Sequence, residues 1–199
     1  EETVARGKHL LTRIGDRTLH THLKMEGSWH LYKPGTAWRR PAHEARVVLR
    51  TEGWTAVGFA LGVVEVVARD AEDTVVGHLG PDLLGPDWDE EEALRRLLAD
   101  PERPVAEAIL DQRNLAGIGN LYKSELCFLL RVTPWLPVGE LPADLAVQLP
   151  PLAKKLMEAN RDRPARSATG RRDQNLFVYG RAPRPCLRCR TSILLADQG

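Results

Sequence analysis

The spacing of apolar residues changes once along this chain. Up to about residue 68 they fall in short β-prone runs. Leu10, Leu11, Ile14, Leu19, Leu23 and Trp29 lie within 3–32, followed by Arg46-Val47-Val48-Leu49-Arg50, Thr55 to Phe59 and Gly62 to Val67. Gly15-Asp16 and Lys33-Pro34-Gly35-Thr36 supply turn signals between them. The pattern predicts an antiparallel β-sandwich. Beyond Leu84 the spacing becomes helical: Leu94, Leu97 and Leu98; residues 105–110; Leu121, Leu126, Leu129 and Leu130; then Leu145, Leu149, Leu152 and Leu156. The acids of Asp87 to Glu92 suit a helix N-terminus, where the dipole favours them. Pro101 and Pro104 end one helix, and Pro150-Pro151 should kink or interrupt another over 144–160. The fold class expected is therefore α+β, with a β-domain over 1–84 and a helical domain over 85–175.

The stretch Asp111 to Pro134, DQRNLAGIGNLYKSELCFLLRVTP, reads as a helix end, a glycine turn and a new helix. Gly117 and Gly119 permit a left-handed or otherwise costly backbone, and Asn120 is a good capping residue. A glycine turn ahead of a helix leaves several N–H groups at the positive end of the dipole, a seat for a phosphate. An ordinary capped turn between two core helices has the same sequence pattern.

At 199 residues, 43% hydrophobic and 28% charged, the chain has the composition of a globular protein with a real core. No apolar run approaches membrane-spanning length, so no membrane partner is expected. The net charge of +1 conceals a split: 14 acids face 4 arginines between Glu65 and Asp111, whereas 9 arginines face 2 aspartates between Arg161 and Arg190. Local positive charge is what counterion release on nucleic acid requires, although a solvated tail looks alike on charge alone. The loop 161–175 is basic and poor in apolar residues, and reads as mobile.

Candidate chemistry is confined to a few residues. Lys8, in Arg6-Gly7-Lys8-His9, is either an edge-strand guard or a cation aimed into a cleft. Met25, in His22-Leu23-Lys24-Met25-Glu26-Gly27, is either core filler or a wedge for a base stack. After the strand-like run Leu176 to Tyr179, Cys186 and Cys189 stand two residues apart, half of a tetrahedral zinc site or a redox pair. Cys127 lies on an apolar helix face and reads as core, and Thr191 to Leu195 reads as the outgoing strand of a zinc hairpin. The displayed chain is accordingly expected to stop short of the natural C-terminus.

A β-sandwich with Gly-Lys in a strand, DQRNLAGIGNLYKSE and VYGRAPRPCLRC, in that order from Arg6 to Cys189, together resemble the formamidopyrimidine-DNA glycosylase / endonuclease VIII family. The resemblance implies a helix–two-turn–helix domain and a C-terminal zinc-ribbon hairpin whose first half is 176–199. It implies a bifunctional DNA glycosylase and abasic-site lyase of base excision repair, acting on double-stranded DNA with damaged bases or abasic sites. Lys8 would be catalytic. Asn120 would bind phosphate, with Gly119, Tyr122 and Arg181 also at the DNA. Lys24 and Met25 would fill the gap left by an extruded nucleotide, and Cys186 and Cys189 would be the first two ligands of one structural zinc.

Family members begin with a nucleophilic proline followed directly by a glutamate, with several tens of residues before the strand lysine. Here Glu2 stands only six positions before Lys8, so neither Glu1 nor Glu2 takes that role and an upstream segment is expected. The acidic-Pro-Arg-Phe stretch of the purine-directed branch is replaced by Ala56 to Glu65, which points to the endonuclease VIII branch and oxidised pyrimidines. A monomer in the bacterial cytoplasm, at the nucleoid, is expected. The competing reading is a non-catalytic nucleic-acid-binding module with a zinc ribbon.

Overall fold

The computed structural model describes residues 1–197 in two compact units, Glu1–His78 and a second beginning at Leu79. In the first, β1 (Glu2–Arg6), β2 (His9–Ile14), β3 (Arg17–His22) and β7 (Val63–Ala68) form a four-stranded sheet in the order β1-β2-β3-β7. A three-stranded sheet has the order β4-β6-β5, from β4 (Ser28–Tyr32), β5 (Ala45–Arg50) and β6 (Thr55–Phe59). Every pairing is antiparallel. Tyr32, Val57 and Phe59 make the apolar cluster of the smaller sheet, backed by Trp38, Ala45 and Val48.

The larger sheet carries polar residues on one face, because strand side chains alternate and the register sets His9 opposite His22 and His20 opposite Glu65. On that face Arg13 makes a two-pronged contact with Glu72 at 2.8 and 2.7 Å. Glu72 precedes the short helix α1 (Asp73–Val76), so the pair ties the end of the unit to its sheet. The guanidinium holds the Glu72 carboxyl down to about 2.

The second unit contains α2 (Glu90–Leu97), α3 (Val105–Leu110), α4 (Asn120–Leu130) and α5 (Ala143–Asn160). Asp89 caps α2 through Glu92 N–H at 2.9 Å, as the acid run implied. Leu83, Ile109, Leu115, Ile118, Leu126 and Leu149 are fully buried in its core. Cys127 lies in the same core, where burial pushes its thiol up to about 11.

Three expectations need correction. The boundary falls at 78/79 and not after Leu84, because residues 80–83 bond to the α3–α4 connection: Gly80 N–H to Gln112 O at 2.9 Å and Ala116 N–H to Pro81 O at 3.0 Å. The segment from 176 is part of the second unit and not a body of its own; its last two residues lie outside the described ones. Helix α5 runs continuously through Pro150 and Pro151, carried by Ala146, Leu149, Ala153 and Leu156 packed into the core on both sides of them. Among the described residues no helix is long and apolar enough to cross a membrane.

Candidate functional site

The α3–α4 connection is built around Gln112. Its side-chain nitrogen donates to Leu110 O at 2.7 Å and Ile118 O at 2.9 Å, and its oxygen accepts Gly117 N–H at 3.1 Å. Gly117 has φ +106°, open only to glycine at low cost. Gly119 is extended at φ −127°, so only one of the two glycines uses that freedom. Gly119 also takes the N-cap position, leaving Asn120 as the first residue of α4. The first intrahelical bond is Lys123 N–H to Gly119 O at 3.0 Å. The amides of Asn120, Leu121 and Tyr122 thus have no acceptor within the helix, and no side chain among the described residues caps them. Asn120 is exposed beside these amides.

Tyr122 is not at this surface. It is buried in the helical core, where desolvation raises its pKa against the pull of Arg166 hydrogen-bonded to it. The i, i+4 face that carries Leu126 into the core carries Tyr122 with it. Asn160 anchors the base of the basic loop, accepting Ser167 N–H at 2.6 Å and donating to Ser167 O at 2.9 Å. Beyond that pin Arg161, Arg163, Arg166, Arg171 and Arg172 are exposed.

In the β-unit, Lys8 lies in the two-residue turn between β1 and β2, after Gly7 at φ +57°, and not within a strand. Its side chain reaches the surface, yet desolvation and then the Lys24 charge lower its pKa. Lys24 has φ +53°, and its backbone N–H donates to His22 Nδ1 at 2.9 Å. A Cβ on Gly62 would lie 2.2 Å from Lys24 Cγ, so glycine there makes room for that side chain. Gly27 N–H closes the turn onto Leu23 O at 3.0 Å, leaving Met25 92% exposed at its tip. That exposure removes the core-filler reading.

The C-terminal segment is strapped to α4. Residues 176–179 form no strand; the amides of Phe177, Val178 and Tyr179 donate instead to the buried Glu125 carboxylate at 2.8, 2.8 and 2.9 Å. Arg181 is buried and donates to Phe177 O and to Pro185 O, bracing the turn instead of reaching outward. Arg188 lies 4.0 Å over the Phe128 ring and donates to Phe128 O at 2.7 Å. Around the cysteines, Cys186 N–H donates to Thr191 O at 2.8 Å and Arg188 N–H reaches Cys186 Sγ at 3.4 Å, a tight knuckle. Hydrogen bonds from Thr191 and Cys186 lower the Cys189 thiol pKa, which favours the ligand form. Among the described residues, an isolated bridge between Pro185 and Ser192 stands where a zinc hairpin was expected. Among the described residues no three His, Cys, Asp or Glu side chains converge as a ligand set.

No family model matches the sequence. The whole chain is 66% identical over 200 residues to "Probable endonuclease 8 2" of Streptomyces coelicolor, covering 72% of that protein. It is 45% identical over 201 residues to "DNA-(apurinic or apyrimidinic site) lyase Nei2" of Mycolicibacterium smegmatis, covering 77% of it. The chain belongs to the endonuclease VIII / formamidopyrimidine-DNA glycosylase family. The fold agrees: a Lactococcus lactis Fpg (MutM) bound to FAPY-dG DNA superposes with TM-score 0.79 at 22% identity, over 96% of this chain and 74% of that one.

For an endonuclease VIII relative, sequence reasoning missed three supports. Gln112 and Glu125 act through backbone partners, so residue type alone does not reveal them; Glu125 on an apolar helix face was the available signal. The cluster of His9, His20, His22 and His78 was missed because 9 and 22 meet only through strand register.

Proposed function

We propose that this chain acts in base excision repair as a bifunctional DNA glycosylase and abasic-site lyase, with oxidised pyrimidines as the favoured bases. The observation that carries the reading is the turn held by Gln112 and Gly117, which presents three uncapped amides and exposed Asn120 in a chain 66% identical to an endonuclease 8. An amide cluster at a helix N-terminus is a phosphate seat, and a helix–two-turn–helix is the arrangement that uses one on the sugar–phosphate strand.

Excision needs the damaged nucleotide out of the stack, at a cost of a few kcal/mol. The Asn120 side chain, the amides of Asn120, Leu121 and Tyr122 and the exposed arginines of 161–172 offset it by holding phosphates. Met25, exposed on a closed turn beside Lys24, suits the vacancy. The attacking amine must be neutral near pH 7 to form a Schiff base. An α-amine is about 2 to 3 units below lysine in pKa, so the N-terminal proline typical of the family suits that role. Lys8, its pKa already lowered, handles protons during base loss and β-elimination. Cys186 and Cys189 supply two thiolates to a structural zinc, which would cross-link the C-terminal knuckle and take no part in the chemistry.

Borohydride trapping of the full-length protein on an oligonucleotide with an oxidised pyrimidine tests the reading. A covalent adduct, lost when the N-terminus is blocked, is expected. Tight binding without an adduct or strand cleavage would make the chain a binding module.

A further inference from the structure

Four histidines meet on the polar face of the larger sheet beside Lys8 and Lys24, and the proposed chemistry leaves them without a role. His20 is buried; its Nδ1 lies 2.7 Å from Glu65 Oε1 and its Nε2 lies 2.6 Å from His9 Nδ1. The His9 and His20 rings lie nearly parallel with centroids 4.9 Å apart, and His9 is met edge-on by His22 at 4.8 Å and by His78 at 6.1 Å. No metal-ligand set is arranged among them.

Each bond in this chain fixes a proton. An ionised Glu65 can only accept, so His20 Nδ1 carries hydrogen. The 2.6 Å contact between His20 Nε2 and His9 Nδ1 holds one hydrogen, and in the neutral pair, with His20 Nδ1 already carrying its hydrogen, His9 Nδ1 is the donor and His20 Nε2 the bare acceptor. His9 is then neutral with Nε2 unprotonated. His22 is fixed independently, because its Nδ1 accepts Lys24 N–H and must also be bare.

We propose that Glu65, His20 and His9 are positioning residues of the lyase site, a proton-ordered chain that keeps the rings beside Lys8 and Lys24 uncharged and holds His22 as acceptor for the Lys24–Met25 turn. The surroundings agree. His9 is faced by His20, His22, His78 and Lys24, with Arg6 opposite it on β1; His22 is faced by Lys24, Lys8 and His20. Glu65, with a half-exposed side chain, is the acid bonded to the chain. A proton placed on His22 converts its Nδ1 from acceptor to donor and releases the Lys24 amide, at a residue whose left-handed backbone needs that restraint.

The proposal rests on the lyase reading, and the test separates the two. Side-chain ¹⁵N spectra of the full-length protein at pH 7.5 should show His9 and His20 protonated at Nδ1 only and His22 at Nε2 only. His20→Leu should leave His9 a mixture of tautomers and slow single-turnover cleavage at a preformed abasic site about tenfold, the scale on which supporting partners act. His20→Gln, whose amide can both donate to Glu65 and accept from His9, should restore most of that rate. A wild-type His9 protonated at Nε2, or equal cleavage rates in His20→Leu and wild type, would overturn the positioning role. If the wild type cleaves no abasic site, the lyase reading fails, and the tautomer pattern still stands or falls by the spectra.

Discussion

Glu125 on α4 accepts the backbone N–H of Tyr179 at 2.9 Å, across 54 positions of sequence. The same carboxylate takes Phe177 and Val178, so one buried side chain is held by three backbone donors. Glu125→Ala strips the acceptor from all three, and one unsatisfied buried donor already costs about 1–3 kcal/mol. A loss of about 3 kcal/mol in urea unfolding is expected, with a smaller loss for Glu125→Gln. No change in midpoint would show that the strap bears little load.

Gly117→Ala tests the turn itself. The added Cβ meets Met157 Cε at 3.5 Å and Asp82 Oδ1 at 3.9 Å, both ordinary contacts, so crowding contributes little. The cost comes from φ +106°, which a side chain rarely adopts. A destabilisation of about 1–3 kcal/mol, with poorer DNA binding, is expected from thermal unfolding and a filter-binding titration.

Much of this fold was legible because its signals are local. Thr55 to Phe59 and Val105 to Leu110 coincide with their elements, since a short β-prone run marks the first and Pro104 marks the start of the second. The hairpin turn at Gly15-Asp16 was equally plain. What stayed hidden depends on partners far along the chain. Tyr122 and Arg181 have residue types suited to DNA, yet both side chains are buried. The run 176–179 has strand composition, but the Glu125 carboxylate gives its amides a better acceptor than a neighbouring strand. Proline pairs commonly interrupt helices, and packing at both ends of α5 prevails over them.

Stability should fall between about pH 6.5 and about pH 4. Burial, then His22, His20, His78 and Lys24, lower the His9 pKa to about 4. The unfolded chain binds a proton near 6.5 that the folded chain refuses until about 4. Within that window the unfolded state holds more protons, so stability rises with pH; it is full above and lost below. The lowered pKa of His22 acts in the same direction. Urea midpoints measured across pH 4–7 should slope upward, and His9→Phe should flatten the curve.

Zinc content should follow the cysteines. With Cys186 Sγ already accepting Arg188 N–H at 3.4 Å, the knuckle is shaped before metal arrives. Cys186→Ser or Cys189→Ser in the full-length protein should drop bound zinc from one per chain toward none by elemental analysis. Helical circular dichroism should survive, because α2 to α5 share a core that contains neither cysteine. Full zinc in both variants would place the ion elsewhere.

Asn120→Ala discriminates a backbone clamp from a lesion reader. The residue is exposed, opens α4 and stands beside the uncapped amides, so its loss disturbs no buried contact and should leave the unfolding midpoint within error. A phosphate oxygen is the same on damaged and undamaged duplex, and a hydrogen bond to a charged group contributes about 1.5–3 kcal/mol. Affinity for both duplexes should therefore fall by a similar factor, roughly tenfold or more. Because the lost contact is made from a neutral amide, the slope of log affinity against log salt should change little, unlike the removal of an arginine from 161–172. A loss confined to the damaged duplex would instead mean that Asn120 reads the lesion, and the phosphate seat at α4 would have to be abandoned.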